Sequence, residues 1–303
     1  MTRPTKKLVT HDGSFHADDI FACAVLMMVL EKKGQRFKIF RTRDEEKIKN
    51  ADYVFDVGGI YDEKNNRFDH HQPGGAGKRD NGIEYSSFGL IWKKFGLELC
   101  GSQKATDWVD KKLVAPIDAH DNGFDLVKNI HEISPYNIQH FLYSMRPTWH
   151  EEELTDDEMF LKCVKIVKNV LSREIIQAKD GVLAEEKVIS TYKNTQDKRV
   201  IVLDKNYVFQ YDIENFSETL FVICPSRSIK DKWTVRAVRE DSKAFKNRKN
   251  FPKAWAGLRD EELQKITGVS DAIFCHRGLF LAIAKSKEGA IKLANLALLE
   301  PKS

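Results

Sequence analysis

The chain has 303 residues, of which 42% are hydrophobic and 31% charged, and its formal net charge at pH 7 is +4. This length and composition are typical of a soluble globular protein with room for two domains. The longest apolar run, residues 20–30, is too short to cross a bilayer, so no membrane partner is expected. The five cysteines are widely spaced and form no C-x-x-C pair, which argues against a zinc ribbon or a disulfide framework and favours a reducing compartment.

The N-terminal segment combines a short apolar strand, a turn and a long apolar helix. Leu8–His11 is predicted as a strand, residues 13–14 as a turn and Asp18–Lys33 as a helix. Two histidines and three aspartates fall within residues 11–19. Neutral imidazoles and ionised carboxylates are ligands for divalent transition metals. The alternative is that Asp18 caps the helix beside surface histidines.

Further strands are predicted at Phe37–Thr42, Asp52–Val57 and Arg67–Asp69, and they alternate with helical segments. This alternation predicts a parallel, doubly wound α/β sheet, in which binding sites form at the carboxyl ends of the strands. His11, Asp56 and residues 69–71 each follow or end a predicted strand. We therefore expect them to meet at one edge of the sheet.

The segment after the paired histidines is rich in glycine from residue 72 to 82, which predicts either a mobile lid or a plain flexible connection. Helices are predicted at residues 86–95, 102–114 and 159–179, and an acid-rich turn at residues 116–123. This half, residues 1–180, is predicted to form the metal-binding domain.

Residues 181–303 are predicted to form a smaller α/β domain. Its predicted helices are 260–267 and 287–299, and its predicted strands are Val188–Tyr192, Arg199–Leu203, Thr219–Cys224, Trp233–Val238, Ala272–Cys275 and Leu279–Ala284. Residues 225–253 carry ten Lys/Arg against three Asp/Glu, a basic stripe of +7 interleaved with aromatic residues. Such a stripe is either a solvated face or a contact for nucleic-acid phosphates. The substrate-binding candidates of this domain are Arg227, Lys232, Arg236, Arg239, Arg248, Lys249 and His276.

The candidate ligands outnumber what a single catalytic zinc site uses, which is commonly three protein residues. They are His11, His16, Asp18, Asp56, His70 and Asp118, with His71 beside them and with Asp121 as the alternative to Asp118. Six ligands suit two divalent ions about 3.5–4 Å apart that share a carboxylate and act on a phosphate ester. A set of histidines and carboxylates without thiolate favours two Mn²⁺ ions, with Mg²⁺ and Co²⁺ as alternatives.

The motifs at residues 10–19, 56–59, 67–72 and 118–123 resemble those of the DHH phosphoesterase superfamily and, more narrowly, of the melanocyte-proliferating-gene family. Residues 233–238, 247–249 and 255–261 resemble the same family. The resemblance implies a two-domain α/β protein that acts as a metal-dependent 3′–5′ RNA exonuclease. Family members are reported in mitochondria and nucleus. Because no transit peptide is recognisable, nucleus or cytoplasm is the expectation for this chain.

The resemblance also implies roles for individual residues. One metal would be held by His11, His16 and Asp56, and the other by Asp18, Asp56, His70 and Asp118, with Asp56 bridging as a catalytic residue. His71 would contact the substrate phosphate or help the leaving oxygen to depart. His16 is a departure, since the wider superfamily usually has an aspartate there. Two alternative functions stay open: hydrolysis of pyrophosphate or a nucleotide, and RNA binding without catalysis by a vestigial metal fold.

Overall fold

The computed structural model describes residues 4–207, 216–240 and 246–300. They form two compact units, residues 1–179 and residues 180–303, each built around one five-stranded sheet. Helices and strands occur in both units, so the predicted α/β class is confirmed. None of the helices in these ranges combines the length and apolar character that a membrane crossing needs.

The sheet of the first unit has the strand order β2-β1-β3-β5-β4. Four strands are parallel, and only β4 runs antiparallel to its neighbour β5. The chain therefore extends the sheet first to one side of β1 and then to the other, which puts a topological switch point between β1 and β3. The strands are β1 (Lys6–Thr10), β2 (Phe37–Arg41), β3 (Tyr53–Phe55), β4 (Tyr61–Asp62) and β5 (Arg67–Phe68).

Helices surround this sheet, and α1 is the most deeply buried of them. Its sequence is apolar on nearly every face, so it packs in the interior and contacts α3 through stacked rings of Phe21 and Phe88, 5.1 Å apart. The helices of the first unit are α1 (Ala17–Lys32), α2 (Glu45–Lys49), α3 (Ser87–Cys100), α4 (Gln103–Val109), a π-helix (Asp110–Val114), α5 (Ala115–Asp121) and α6 (Ile138–Tyr143). The prediction of an acid-rich turn at residues 116–123 is wrong for residues 116–121, because these residues belong to α5.

Helix α7 (Asp156–Asn194) continues past the division between the units. The strand predicted at Val188–Tyr192 is wrong, because these residues lie in α7. Buried positions recur three to six residues apart along the helix, at Leu171, Ile175, Ala178, Ala184 and Val188, so the β-branched residues extend an apolar helical stripe.

The second unit has a mixed sheet with the strand order β6-β7-β8-β10-β9. Strands β6 and β7 are parallel, and the other neighbours are antiparallel. Phe221, Phe251 and Trp255 lie in its core with ring centroids 5.0–5.9 Å apart. The elements are β6 (Val200–Val202), β7 (Phe221–Pro225), β8 (Trp233–Ala237), α8 (Asp260–Thr267), β9 (Ala272–Cys275), β10 (Leu281–Ala284) and α9 (Lys287–Leu299).

Candidate metal centre

The carboxyl ends of three neighbouring parallel strands carry the candidate ligands. His11 follows β1, Asp56 follows β3, and the pair His70 and His71 comes shortly after β5. Because β1, β3 and β5 lie side by side, these residues meet at one edge of the sheet, at the switch point. The sequence-based expectation that they converge is therefore met by the geometry.

Asp56 stands between two groups of side chains. Its Oδ2 lies 3.2 Å from Nε2 of His11, and its Oδ1 lies 3.3 Å from Nε2 of His70. The backbone of Asp56 is left-handed, with φ of 54°, in a turn that continues through Gly58 and Gly59. This conformation costs a non-glycine residue of order 1–3 kcal/mol, and such strain is concentrated at functional sites. The turn points each carboxylate oxygen of one buried side chain at a different histidine.

The first group consists of His11, His16 and Asp56, whose ligand-type atoms lie within 4.8 Å of one another. Asp19 supports it, with Oδ2 3.3 Å from Nε2 of His11 and Oδ1 accepting the backbone N–H of His16 at 3.0 Å. Asp19 was not among the predicted ligands. The feature that pointed to it is its place three residues after His16, where an acid at the third helical position accepts the N–H of the capping residue.

The second group consists of Asp18, His70 and Asp121. Nε2 of His70 lies 3.3 Å from Oδ2 of Asp121 and 3.8 Å from Oδ2 of Asp18. Asp18 comes from the first turn of α1 and Asp121 from the last residue of α5. Of the two alternatives left open by the sequence, Asp121 is the one whose carboxylate reaches the cluster.

Asp118, which the resemblance implies as a ligand, is directed elsewhere. Its Oδ2 lies 2.7 Å from Nη1 of Arg79, and its Oδ1 accepts the Ser86 hydroxyl at 2.5 Å and the Gly89 backbone N–H at 3.0 Å. Burial raises the pKa of Asp118 to about 7, although these three donors favour the ionised form. Arg79 also makes a two-pronged contact with Asp110 in the π-helix. Arg79 belongs to the glycine-rich loop and Asp118 to α5, so their contact holds this loop against the helix.

The two neighbouring histidines have different surroundings. The His70 side chain is only 8% exposed, whereas that of His71 is 63% exposed. Asp69 is buried between them and the preceding turn, where its Oδ2 accepts the Gly59 N–H at 2.6 Å. His70 therefore faces the carboxylates, whereas the His71 side chain is largely open to the cleft. Nδ1 of His71 also lies 3.6 Å from Oδ1 of Asp56, and His71 forms a further candidate ligand group with Asp56 and His70.

The donor set fits divalent cations. Both carboxylate oxygens of Asp18 are buried, and neither has a hydrogen-bond partner within the described ranges. Burial, together with the charges of Asp56 and Asp121, raises the pKa of Asp18 well above its usual range. Burial also opposes the charged form of His11, yet the contacts with Asp19 and Asp56 raise its pKa to about 10. The raised pKa values of Asp18 and His11 show that this cluster of buried carboxylates favours the binding of positive charge, either as protons or as a cation.

Two clefts open beside the cluster within the first unit. The larger, of about 1010 Å³, is lined by His11, His16, Asp56 and His71 and continues past Arg43, Lys49 and Arg67. The smaller, of about 460 Å³, is lined by His16, Asp56, His70, His71, His120, Asp121, Asn122 and Tyr143. Both volumes lie in the range of small-molecule and cofactor sites.

The candidate residues of the basic stripe fall into two sets in the second unit. Lys249 is only 8% exposed, and its ammonium donates to the Glu300 carbonyl at 2.5 Å. Arg248 donates to the carbonyls of Phe216 and Thr219 at 2.6 and 3.1 Å. Arg227 is exposed and Lys232 half-buried. The structure thus places Arg248 and Lys249 in the fold of the unit rather than on an open face.

The other candidates of this unit lie on or near its sheet. Arg236 is on β8, opposite Val222 and Leu281, and Arg239 pairs with Asn247 in an isolated bridge. His276 lies in the turn between β9 and β10, where its Nδ1 accepts the Gly278 N–H at 2.9 Å.

The fold and the cluster define an α/β protein whose first unit carries paired histidine–carboxylate groups at a sheet switch point. The family model named MYG1_exonuc, described as "Uncharacterised protein family (UPF0160)", matches residues 7–298, so the chain belongs to that family. A MYG1 protein of Chlamydia muridarum is 32% identical, with 95% of each chain covered. MYG1 protein C27H6.8 of Caenorhabditis elegans is 29% identical, covering 97% of this chain and 95% of the relative. The human MYG1 exonuclease is 27% identical, covering 96% and 85%.

Solved structures of the exonuclease RecJ are also similar to this chain. RecJ from Thermus thermophilus in complex with Mn²⁺ matches with a TM-score of 0.28 and 13% identity, covering 98% of this chain and 53% of that one. Exonuclease RecJ bound to manganese matches with a TM-score of 0.28 and 14% identity, covering 98% and 91%.

Proposed function

We propose that this protein is a metal-dependent phosphodiesterase that removes nucleotides from the 3′ end of RNA. The observation that carries the proposal is the position of Asp56, whose two oxygens face His11 on one side and His70 on the other at one sheet edge, within overlapping groups of candidate ligands. His11, His16 and Asp56 would hold one divalent ion, and Asp18, Asp56, His70 and Asp121 the other. Two such ions activate a water and stabilise the charge that develops on a phosphate ester during hydrolysis.

The chain's own residues supply orientation beside this centre. His11 and His16 are fixed by Asp19, and the backbone of the histidine pair is fixed by Asp69. His71 lies at the mouth of both clefts with its side chain largely exposed, which suits a contact with the substrate phosphate or a proton donated to the leaving oxygen. We propose Mn²⁺ as the bound ion because the donors are histidines and carboxylates, with Mg²⁺ and Co²⁺ as the alternatives.

A polynucleotide substrate is supported by two features. The family's relatives are named exonucleases in mammals, and the larger cleft carries Arg43, Lys49 and Arg67 along its length. Cations in a groove attract a phosphate backbone, and the second unit by itself also presents exposed basic residues such as Arg227. RNA and the 3′–5′ direction are the finer part of the proposal, and they come from the resemblance of the sequence motifs.

The test is a Mn²⁺-supplemented assay of the wild-type chain and the Asp56→Ala variant on RNA, pyrophosphate and a nucleoside triphosphate. We expect wild type to shorten RNA labelled at its 5′ end stepwise and to release the label from 3′-labelled RNA in the first turnover. Asp56→Ala should fold but should lose at least roughly a thousandfold in turnover. The matched control is Asp80→Ala, which changes an exposed loop residue outside the cluster and should keep the wild-type turnover. Faster hydrolysis of pyrophosphate or the nucleotide than of RNA would contradict the polymer substrate. A fully active Asp56→Ala would contradict the two-metal site.

A further inference from the structure

The smaller cleft joins the metal centre to a wall of aromatic rings. Its lining includes His16, Asp56, His70, His71 and Asp121 of the cluster, together with His120, Asn122 and Tyr143. We propose that this cleft binds the 3′-terminal nucleoside of the substrate, with Tyr143 as the stacking surface for its base. The inference rests on the proposed function and adds to it the place where the released nucleotide sits.

Tyr143 is the last residue of α6, and its ring is held in place before any ligand binds. The ring lies edge-on to His16 at 6.3 Å and tilted to His120 at 6.2 Å, measured between centroids. The guanidinium of Arg146 lies 4.2 Å from the ring centroid and donates to the backbone carbonyl of Phe15 at 2.9 Å. The loop that carries His16 and the helix that carries Tyr143 are therefore connected through Arg146. Pre-positioned rings lose little conformational entropy when a base stacks on them.

The size and charge of the two clefts assign them different parts of the substrate. The larger cleft, of about 1010 Å³, has Arg43, Lys49 and Arg67 in its lining beside the acids Asp12 and Glu45, and it is large enough to admit a chain of phosphates that contact these basic residues. The smaller cleft, of about 460 Å³, has no lysine or arginine among its described lining residues. This cleft therefore offers no cationic side chain to a row of phosphates. The sugar and base of one terminal nucleotide are neutral and require no such side chain, because the phosphate of that nucleotide stays at the cluster.

This placement fits the bond changes of 3′–5′ hydrolysis. The oxygen of a water forms a bond to phosphorus as the water gives up one proton, the bond from phosphorus to O3′ of the penultimate nucleotide breaks, and that O3′ takes up a proton. The terminal nucleotide leaves as a nucleoside 5′-monophosphate. Its phosphate lies at the cluster beside His70 and His71, and its base extends toward Tyr143, while the shortened chain remains in the larger cleft.

The binding test compares adenosine 5′-monophosphate with ribose 5-phosphate, which has the same sugar phosphate but no base, by calorimetry on the full chain with Mn²⁺. Wild type should bind adenosine 5′-monophosphate roughly tenfold more tightly, as expected for a stacked base. Tyr143→Ala should bind both alike, and Tyr143→Phe should keep the preference. The matched control is Tyr136→Ala, which is 70% exposed and outside the cleft lining, and it should behave as wild type. Equal affinities in wild type, or a preference retained by Tyr143→Ala, would overturn the proposal.

A kinetic experiment keeps the proposal testable if Tyr143→Ala folds poorly. Wild type and Tyr143→Phe should remove an abasic 3′-terminal nucleotide roughly tenfold less efficiently than a normal one, through a higher KM. Absence of that difference in an active enzyme would refute the nucleoside cleft and leave the exonuclease intact. If instead no RNA is degraded but the preference for adenosine 5′-monophosphate depends on Tyr143, the exonuclease fails and a nucleotide-binding cleft stands.

Discussion

Nδ1 of His71 lies 2.8 Å from Oδ1 of Asp69, and the same oxygen accepts the backbone N–H groups of His70 and His71 at 2.8 and 3.2 Å. A carboxylate at this distance favours a hydrogen on Nδ1, which leaves Nε2 of His71 for the cleft. Asp69 thereby fixes the backbone of both histidines and the tautomer of the second. This asymmetry separates the expected roles of the pair.

Removal of each histidine should produce a different defect. His70→Ala should weaken Mn²⁺ binding by roughly 10–100-fold or more, and added Mn²⁺ should restore part of the activity, because a buried ligand is lost. His71→Ala should lower turnover by roughly 10²–10⁴-fold at saturating Mn²⁺ with nearly normal metal affinity, because a group that acts in the transition state is lost. Calorimetric Mn²⁺ titration and activity at varied Mn²⁺ measure both.

Asp69→Asn serves as the companion variant. It keeps the shape of the side chain but favours the opposite tautomer of His71, so it should lower turnover more than metal affinity. Equal loss of metal by His70→Ala and His71→Ala would show that both act as ligands, and Mn²⁺ rescue of His71→Ala alone would show that their roles are exchanged.

Removing the charge of Asp18 should stabilise the metal-free protein. Its carboxylate is buried without a donor beside Asp56 and Asp121, so repulsion and desolvation oppose folding until a cation binds. Asp18→Asn should raise the free energy of unfolding in chelator by about 0.5–2 kcal/mol, and Mn²⁺ should no longer raise its Tm. The control is Asp12→Asn, an exposed residue paired with Arg43. A lower Tm of Asp18→Asn in chelator, with the Mn²⁺ response intact, would contradict the assignment.

The two aspartates of α5 should separate stability from metal binding. Asp121→Asn should lose Mn²⁺ affinity without lowering the free energy of unfolding, because its carboxylate faces His70 in the cluster. Asp118→Asn should lower the free energy of unfolding by roughly 1–3 kcal/mol, since the buried Arg79 loses a charged acceptor.

A double-mutant cycle of Arg79→Gln with Asp118→Asn, followed by urea unfolding, should give a coupling of about 0.5–3 kcal/mol. The assignment would be reversed if Asp118→Asn lost metal while Asp121→Asn lost stability.

The basic residues of the second unit should also divide into two kinds. Arg227→Ala with Lys232→Ala should weaken RNA binding and reduce its salt slope by roughly one unit for each lost phosphate contact, without a change in Tm. Arg248→Ala should instead cost roughly 1.5–3 kcal/mol of stability, because two carbonyls lose a charged donor. Fluorescence polarisation across a KCl series and thermal unfolding distinguish them. An unchanged salt slope in the double variant would make the stripe a solvated face.

The sequence predicted the α/β class and the residues that meet at the sheet edge, because alternating strands and helices fix where parallel strands end. The positions of His11, Asp56 and His70 could be predicted because they depend only on where these strands end. That rule does not distinguish Asp118 from Asp121 as the ligand. Both lie one turn apart on α5, and the choice depends on Arg79, which reaches Asp118 from a loop almost forty residues earlier.

Two further differences have local explanations. Val188–Tyr192 is rich in β-branched residues, yet it follows a helix whose apolar stripe continues through Val188, and packing overrides propensity there. The sequence predicts Lys249 as a substrate-binding residue, because sequence position does not reveal that its ammonium donates to the Glu300 carbonyl.

The left-handed backbone at Asp56 makes this position a point where folding and turnover make opposite demands. Only glycine, asparagine and aspartate adopt such a conformation readily, and only aspartate offers an ionised oxygen to each neighbouring histidine. In a randomised library, selection for soluble expression should enrich glycine and asparagine at residue 56, whereas selection for RNA hydrolysis should return aspartate. The residue found at position 56 would then show whether a variant had been selected for soluble expression or for RNA hydrolysis.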